Sequence, residues 1–195
     1  ENCFWCGQPN LLGKTCASCA ADYQLDGVFV CADYTDRVIG DLIKKLKYSF
    51  ARELGKTLAK IAELYLKKTL DSGRTEKINL ANFTVVPIPL HKKRYNWRGF
   101  NQAEIIAGFL AAKLNLPVST GLIRVKHRPP QAKLDGAARR ENIKDCFRCS
   151  DPALAEKNIL LIDDVATTGS TLNEAAGALK AAGAKKILAL VIAKG

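Results

Sequence analysis

What this chain of 195 residues lacks already removes several classes of protein. No run approaches the about 18 apolar residues of a membrane-spanning helix, and no signal peptide is visible. Methionine is absent altogether, the initiator included, so the natural start is left open. There is no Gly-x4-Gly-Lys-Ser/Thr loop. That excludes a P-loop ATPase, although one apolar strand here ends in two carboxylates as the metal-holding half of such an enzyme does. The only histidines, His91 and His127, are too isolated to make a ligand set. Acidic residues are outnumbered, which leaves a net charge of +11.

The excess charge is unevenly placed. In residues 1–40, Lys14 and Arg37 stand against Glu1, Asp22, Asp26, Asp33 and Asp36, a net −3. Residues 151–195 balance five bases with five acids, so residues 41–150 carry +14. A concentrated excess of this size points to a polyanionic partner, most economically nucleic acid; the alternative is a solvated surface.

The seven cysteines fall mostly into Cys-x-x-Cys pairs, a pattern of reducing compartments and metal binding rather than of disulfides. Cys3, Cys6, Cys16 and Cys19 form two chelating turns separated by nine residues, which permits a tetrahedron of thiolates around Zn2+; unlinked thiols or a redox pair are the alternatives. Four thiolates on a dication leave about −2, a poor grip for phosphate. The expected role of this knuckle is to fold a segment too short to fold alone. Cys146 and Cys149 have no second pair nearby, and Cys31 reads as a small buried apolar side chain.

The stretch Ile159 to Leu172 concentrates the chemistry. Ile159-Leu160-Leu161-Ile162 reads as a strand buried on both faces. Asp163 and Asp164 stand at its end, followed by Val165-Ala166-Thr167-Thr168-Gly169-Ser170-Thr171 and a helix from Leu172 to Ala182. A strand, a loop of small hydroxylated residues and a helix N-terminus make a phosphate site. The acid pair suits sugar hydroxyls, or Mg2+ held through water. An ordinary βα turn is the bland alternative.

Elsewhere the pattern predicts a strand over Val28–Tyr34 and a helix capped by Asp36 with its apolar stripe on Val38, Ile39, Leu42, Ile43 and Leu46. Its polar face offers Lys44, Lys45 and Lys47. A second helix is expected over Ala51–Lys68 and a strand over Thr84–Ile88. The densest cluster follows, His91-Lys92-Lys93-Arg94-Tyr95-Asn96-Trp97-Arg98-Gly99-Phe100, where cations alternate with aromatics able to stack on bases. It reads as a basic loop before a helix opened by Asn101-Gln102. Leu122–Val125 is a short strand, Lys126–Glu141 a flap without periodicity, and Lys186–Ala193 the last strand. The order implies a parallel α/β sheet with sites at the carboxyl ends of its strands.

The acidic pair leading into Thr168-Gly169-Ser170-Thr171 resembles the phosphoribosyl-diphosphate (PRPP) signature of type I phosphoribosyltransferases. The knuckle, the basic helix, Val86-Pro-Ile-Pro-Leu90, Arg94, Arg98-Gly-Phe-Asn-Gln102 and Pro130-Gln131 with Leu134, Arg139 and Asn142 resemble the ComF/ComFC family. That resemblance implies an α/β type I phosphoribosyltransferase fold over residues 28–195, with a basic helical region at 36–70 and a flap at 126–141. A zinc module over residues 1–27 would precede it. It implies PRPP with Mg2+, ribose hydroxyls on Asp163 and Asp164, and the 5-phosphate on Thr167 to Thr171. The diphosphate would meet Leu90, His91, Lys92 and Arg94. It further implies a cytoplasmic role in natural transformation on single-stranded DNA, beside a competence helicase. Lys44, Lys45, Lys47, Lys92, Lys93, Arg94, Tyr95, Trp97 and Arg98 are the DNA candidates. Thr167 stands where purine enzymes carry a carboxylate general base, so no catalytic residue is assigned, with Lys126 or Lys133 on the flap as the only substitutes. A transferase acting on a base or amine is the alternative function.

Overall fold

The sheet is built outward from one strand, β5 (Asn158–Ala166), which pairs in parallel with β6 (Ile187–Lys194) on one side and β2 (Phe83–Pro87) on the other. With β1 (Gly27–Asp33) beyond β6, the order is β1-β6-β5-β2, all parallel. The computed structural model describes residues 2–10, 12–49, 51–71, 78–126 and 145–195. The expected flap therefore lies outside the described residues except at Lys126.

Because strand side chains alternate, β5 and β6 feed two cores. Leu160, Ile162, Leu188, Leu190 and Ile192 pack under three helices: α2 (Arg37–Tyr48), α3 (Leu54–Leu70) and α5 (Gln102–Leu114). Ile159, Leu161, Ile187, Ala189 and Val191 pack on the other face against α6 (Ser170–Ala181) through Leu172, Ala175, Ala176 and Leu179. Burial on both faces is why these strands read as unbroken apolar runs. A two-stranded antiparallel ribbon, β3 (Leu122–Arg124) with β4 (Phe147–Cys149), adds Leu122 and Phe147 to the second core.

Local chemistry sets the element ends. Asp36 caps α2, its carboxylate accepting from the N–H groups of Val38 at 2.9 Å and Ile39 at 3.1 Å. The expected basic loop is instead largely a helix, α4 (Lys92–Arg98), capped by His91 Nδ1, which accepts from Lys93 N at 3.2 Å. The last strand and the helices follow their expected positions within a few residues.

The four-cysteine segment, with its short helix α1 (Ala17–Ala20), is not a detached appendage. Phe4 and Leu25 join the core under α6, and Leu12 joins the other. Val28 N donates to Gly13 O at 2.9 Å. Gly13 has φ +64°, and a Cβ there would lie 2.4 Å from Val28 O, so only glycine allows this approach.

Candidate functional site

Strand β5 runs further than its apolar residues alone indicate. Its pairing continues from Asp163 opposite Val191 to Ala166 opposite Lys194, so the acid pair sits within the strand, not in the loop. Alternation then sends Asp164 to the side of Ile162, beneath α2. There Asp164 is 3% exposed, and Lys47 Nζ stands 2.8 Å from its Oδ2. At that distance the ammonium is the charged partner of Oδ2. Asp163 is half-buried and accepts from Asp164 N at 2.8 Å. Its carboxyl is pushed up to about 8, first by burial and then by the adjacent Asp164 charge, while Lys47 pulls it down.

The loop after β5 is a tight turn of small hydroxylated residues. Gly169 adopts φ +72° as N-cap of α6, Thr168 Oγ1 lies 2.8 Å from Ser170 Oγ, and Ser170 N points to Thr168 Oγ1 at 3.4 Å. Thr167 and Thr168 are exposed, with Ser170 and Thr171 half-buried behind them; Val165 is half-buried and Ala166 buried. Leu90, His91, Lys92 and Arg94 leave the C-terminal end of β2, the neighbour of β5. Ile88 anchors that exit: its N donates to Ile162 O at 2.9 Å, and its O accepts from Asn101 Nδ2 at 2.9 Å.

Two arginines feel the charge of the acid pair. Arg98 is 7% exposed and donates from Nη1 to Gln102 Oε1 at 2.6 Å. Burial pushes its guanidinium down, and the Asp164 charge opposes that. Its guanidinium lies 5.8 Å from the Tyr48 ring and 5.9 Å from the Trp97 ring. Arg124 on β3 lies 5.4 Å over Phe147. Burial lowers it too, with Asp163 among the charges opposing the shift. Nε of both arginines is buried without a hydrogen-bond partner among the described residues. Two buried guanidinium N–H groups left without an acceptor are the donors that an anionic ligand would take up.

The DNA candidates divide. Lys44, Lys45, Lys92, Lys93, Tyr95 and Trp97 are exposed and Arg94 is half-exposed. Tyr48 and Trp97, 61% and 62% exposed, meet edge to face at 6.4 Å. Lys47 and Arg98 differ from the expectation: Lys47 turns in to Asp164, and Arg98 is buried with its guanidinium on Gln102. Arg124 escaped the sequence reading. Its one signal was a charge inside the apolar run Leu122-Ile-Arg-Val125.

The four cysteine sulfurs lie within 4.8 Å of one another, and Cys6 Sγ is 3.6 Å from Cys16 Sγ. A Zn–S bond of about 2.3 Å gives a tetrahedral edge of about 3.8 Å, so the set fits Zn2+ with a small contraction. Burial raises the Cys3 thiol, but hydrogen bonds from the backbone at Cys16, Cys6 and Trp5 outweigh it and hold it at about 6. Cys19 is pushed up to about 12, by burial first and then by the neighbouring sulfurs. One ready thiolate beside reluctant ones is a cluster that a dication would deprotonate together. Cys31, up at about 12 through burial, and the buried Cys146 join no such group among the described residues.

A parallel sheet carrying an acid pair and a hydroxyl-rich loop at the carboxyl end of its central strand defines a phosphoribosyltransferase-type protein. A family model for the phosphoribosyl transferase domain matches residues 101–195. Over 190 residues the chain is 30% identical to competence protein F of Haemophilus influenzae, covering 95% of this chain and 81% of that protein. It is 29% identical over 180 residues to competence protein ComFC of Bacillus subtilis, covering 91% and 70%. It is 32% identical over 157 residues to the DNA utilization protein YhgH of Escherichia coli K12, covering 80% and 66%. Among solved structures, the glutamine PRPP amidotransferase of B. subtilis overlaps 72% of this chain and 25% of its own, at 16% identity and a TM-score of 0.41. The chain belongs to the competence protein F/ComFC family.

Proposed function

We propose that this protein binds PRPP at the end of β5 and handles single-stranded DNA during uptake in natural transformation. The observation that carries the PRPP half is the acid pair at the end of β5, with Asp163 accepting from Asp164 N, running directly into the Thr167–Thr171 loop and the N-terminus of α6. Asp163 and Asp164 take the ribose hydroxyls, the loop takes the 5-phosphate, and Leu90 to Arg94 meet the diphosphate. Mg2+ would arrive on that diphosphate and offset its charge near the acid pair. The DNA half rests on the exposed Tyr48–Trp97 pair flanked by Lys44, Lys45, Lys92 and Lys93, a surface of stacking faces among cations. The names of the relatives, competence proteins and DNA utilization proteins, agree with that half. No helix among the described residues is long and apolar enough to cross a membrane. The expected place of work is the cytoplasm, beside the competence helicase.

Calorimetry with Mg2+ and PRPP tests the ligand. Asp163→Asn with Asp164→Asn should lower affinity by an order of magnitude or more, since hydrogen bonds to charged groups are worth roughly 1.5–3 kcal/mol each. Equal affinity in the double variant would remove the site.

The complete signature also supports a transferase, in which a nitrogen of a base or amine bonds to the anomeric carbon as diphosphate departs. Thr167 offers no carboxylate to take the proton released. Diphosphate release in the presence of PRPP and candidate acceptors decides between the two readings.

A further inference from the structure

The four-cysteine segment and the phosphate loop touch. Gly169, the αL residue of that loop, has no room for a side chain: a Cβ there would lie 2.4 Å from Trp5 Cζ3, 2.5 Å from Trp5 Cη2 and 2.7 Å from Phe4 Cε1. Phe4 and Trp5 are the two residues between the ligands Cys3 and Cys6, so a metal on those sulfurs fixes the turn that presents both rings. The two rings meet edge to face at 4.9 Å. Trp5 is stacked on Tyr23 at 3.7 Å and 7°. Tyr23 N in turn donates to the carbonyl of the ligand Cys19 at 3.1 Å.

Two further ties run to the same loop. Gln24 N donates to Asn173 Oδ1 in the first turn of α6 at 2.6 Å, and Asn173 N donates to Gly169 O at 2.9 Å. At the end of β6, Lys194 Nζ donates to Phe4 O at 2.9 Å and lies 4.3 Å from the Phe4 ring. The next residue, Gly195, donates to Ala166 O at 3.0 Å, where the loop begins. One end of the loop is thus tied to Gln24, just after the cysteine turns, and the other to Gly195, next to the Lys194 that grips Phe4.

We infer that Phe4 and Trp5 are positioning residues for the phosphate loop: the metal-folded turn forms its outer wall and sets its affinity for a 5-phosphate. The inference rests on the PRPP reading and adds a dependence on the cysteine module. An anion cradle works through backbone N–H groups aimed at one point, and a loop of threonines, serine and a left-handed glycine has little rigidity of its own. An aromatic wall against Gly169 removes the freedom that would spread those donors. The module is electrostatically unsuited to touch phosphate, so its contribution is shape.

The test uses zinc-replete full chain titrated by calorimetry with MgPRPP and, separately, ribose 5-phosphate. Trp5→Ala should keep one equivalent of zinc and lose affinity for both ligands by roughly tenfold or more, the scale set by small misplacements of binding groups. Trp5→Phe should fall between. In a Trp97→Phe protein Trp5 is the only tryptophan, and its emission should shift as either ligand saturates. If wild type binds neither ligand, the PRPP reading itself falls. If wild type binds and folded, zinc-replete Trp5→Ala binds equally, only the positioning role falls. A loss confined to MgPRPP would place the defect at the diphosphate and also overturn it. Should Trp5→Ala not fold, unchanged affinity in Trp5→Phe together with silent Trp5 emission would decide against the inference.

Discussion

Lys47 shows how one residue changes meaning when its surroundings are known. On the helix surface it belongs with Lys44 and Lys45 as a phosphate contact; in the fold its ammonium stands on a carboxylate that water barely reaches. Lys47 is the cation that pulls on Asp163, yet Asp163 still titrates high because burial and Asp164 act together. The sign of the consequence follows. Asp163 is protonated below about 8, and a protonated carboxyl accepts hydroxyl hydrogens less well than a carboxylate. PRPP affinity should therefore rise with pH up to about 8, with proton uptake by buffer detectable when calorimetry is repeated in two buffers of different ionisation enthalpy. Lys47→Gln removes the charge that pulls Asp163 down, so the rise should move to higher pH. A flat profile from pH 6 to 9 in both proteins would contradict the assignment. Residue identities were legible at this scale, but not whether a lysine looks outward or inward.

At the scale of elements, the cysteine turns are the clearest case of local spacing read correctly as geometry. Protein purified without added metal should carry about one equivalent of Zn2+, as one closed four-thiolate site requires. Cys3→Ser with Cys16→Ser should abolish it, and a retained equivalent would refute the site. Because Phe4, Leu12 and Leu25 are core residues, stripping the metal should also lower the melting temperature of the whole chain. A detached module would melt separately, as an extra transition. Helix α4 is the counter-example. Seven polar and aromatic residues gave no apolar periodicity, and its helicity came from the His91 cap and from Arg98 being pulled into the interior.

For the molecule as a whole, charge and shape separate the basic middle from the acidic knuckle. Single-stranded DNA should bind with little sequence preference and weaken with salt by a slope of about −0.7 per phosphate neutralised. Lys92→Glu with Lys93→Glu should cost more affinity than Lys113→Glu with Lys157→Glu. All four side chains are exposed, and both variants change the net charge equally. Lys113 ends α5 and Lys157 precedes β5, at the opposite end of the strands from the acid pair. Equal losses in fluorescence anisotropy at one ionic strength would mean that bulk charge binds the DNA, without a local site.

Sequence alone determined whatever depends on neighbours a few residues away. The unbroken apolar run of β5 required burial on both faces, Asp36 capped the helix it precedes, and the spacing of Cys3, Cys6, Cys16 and Cys19 permitted one tetrahedron. The acid pair followed by Thr168-Gly169 marked the passage from a strand through a tight loop to a helix N-terminus. Tertiary structure alone decided what depends on partners far along the chain. It set Lys47 against Asp164 and the Phe4–Trp5 turn against Gly169. Periodicity specifies which face of an element is apolar, but not which distant element that face will meet. A buried carboxylate then collects whatever cation the packing brings within reach, and an aromatic turn closes on the one residue without a side chain to keep it away.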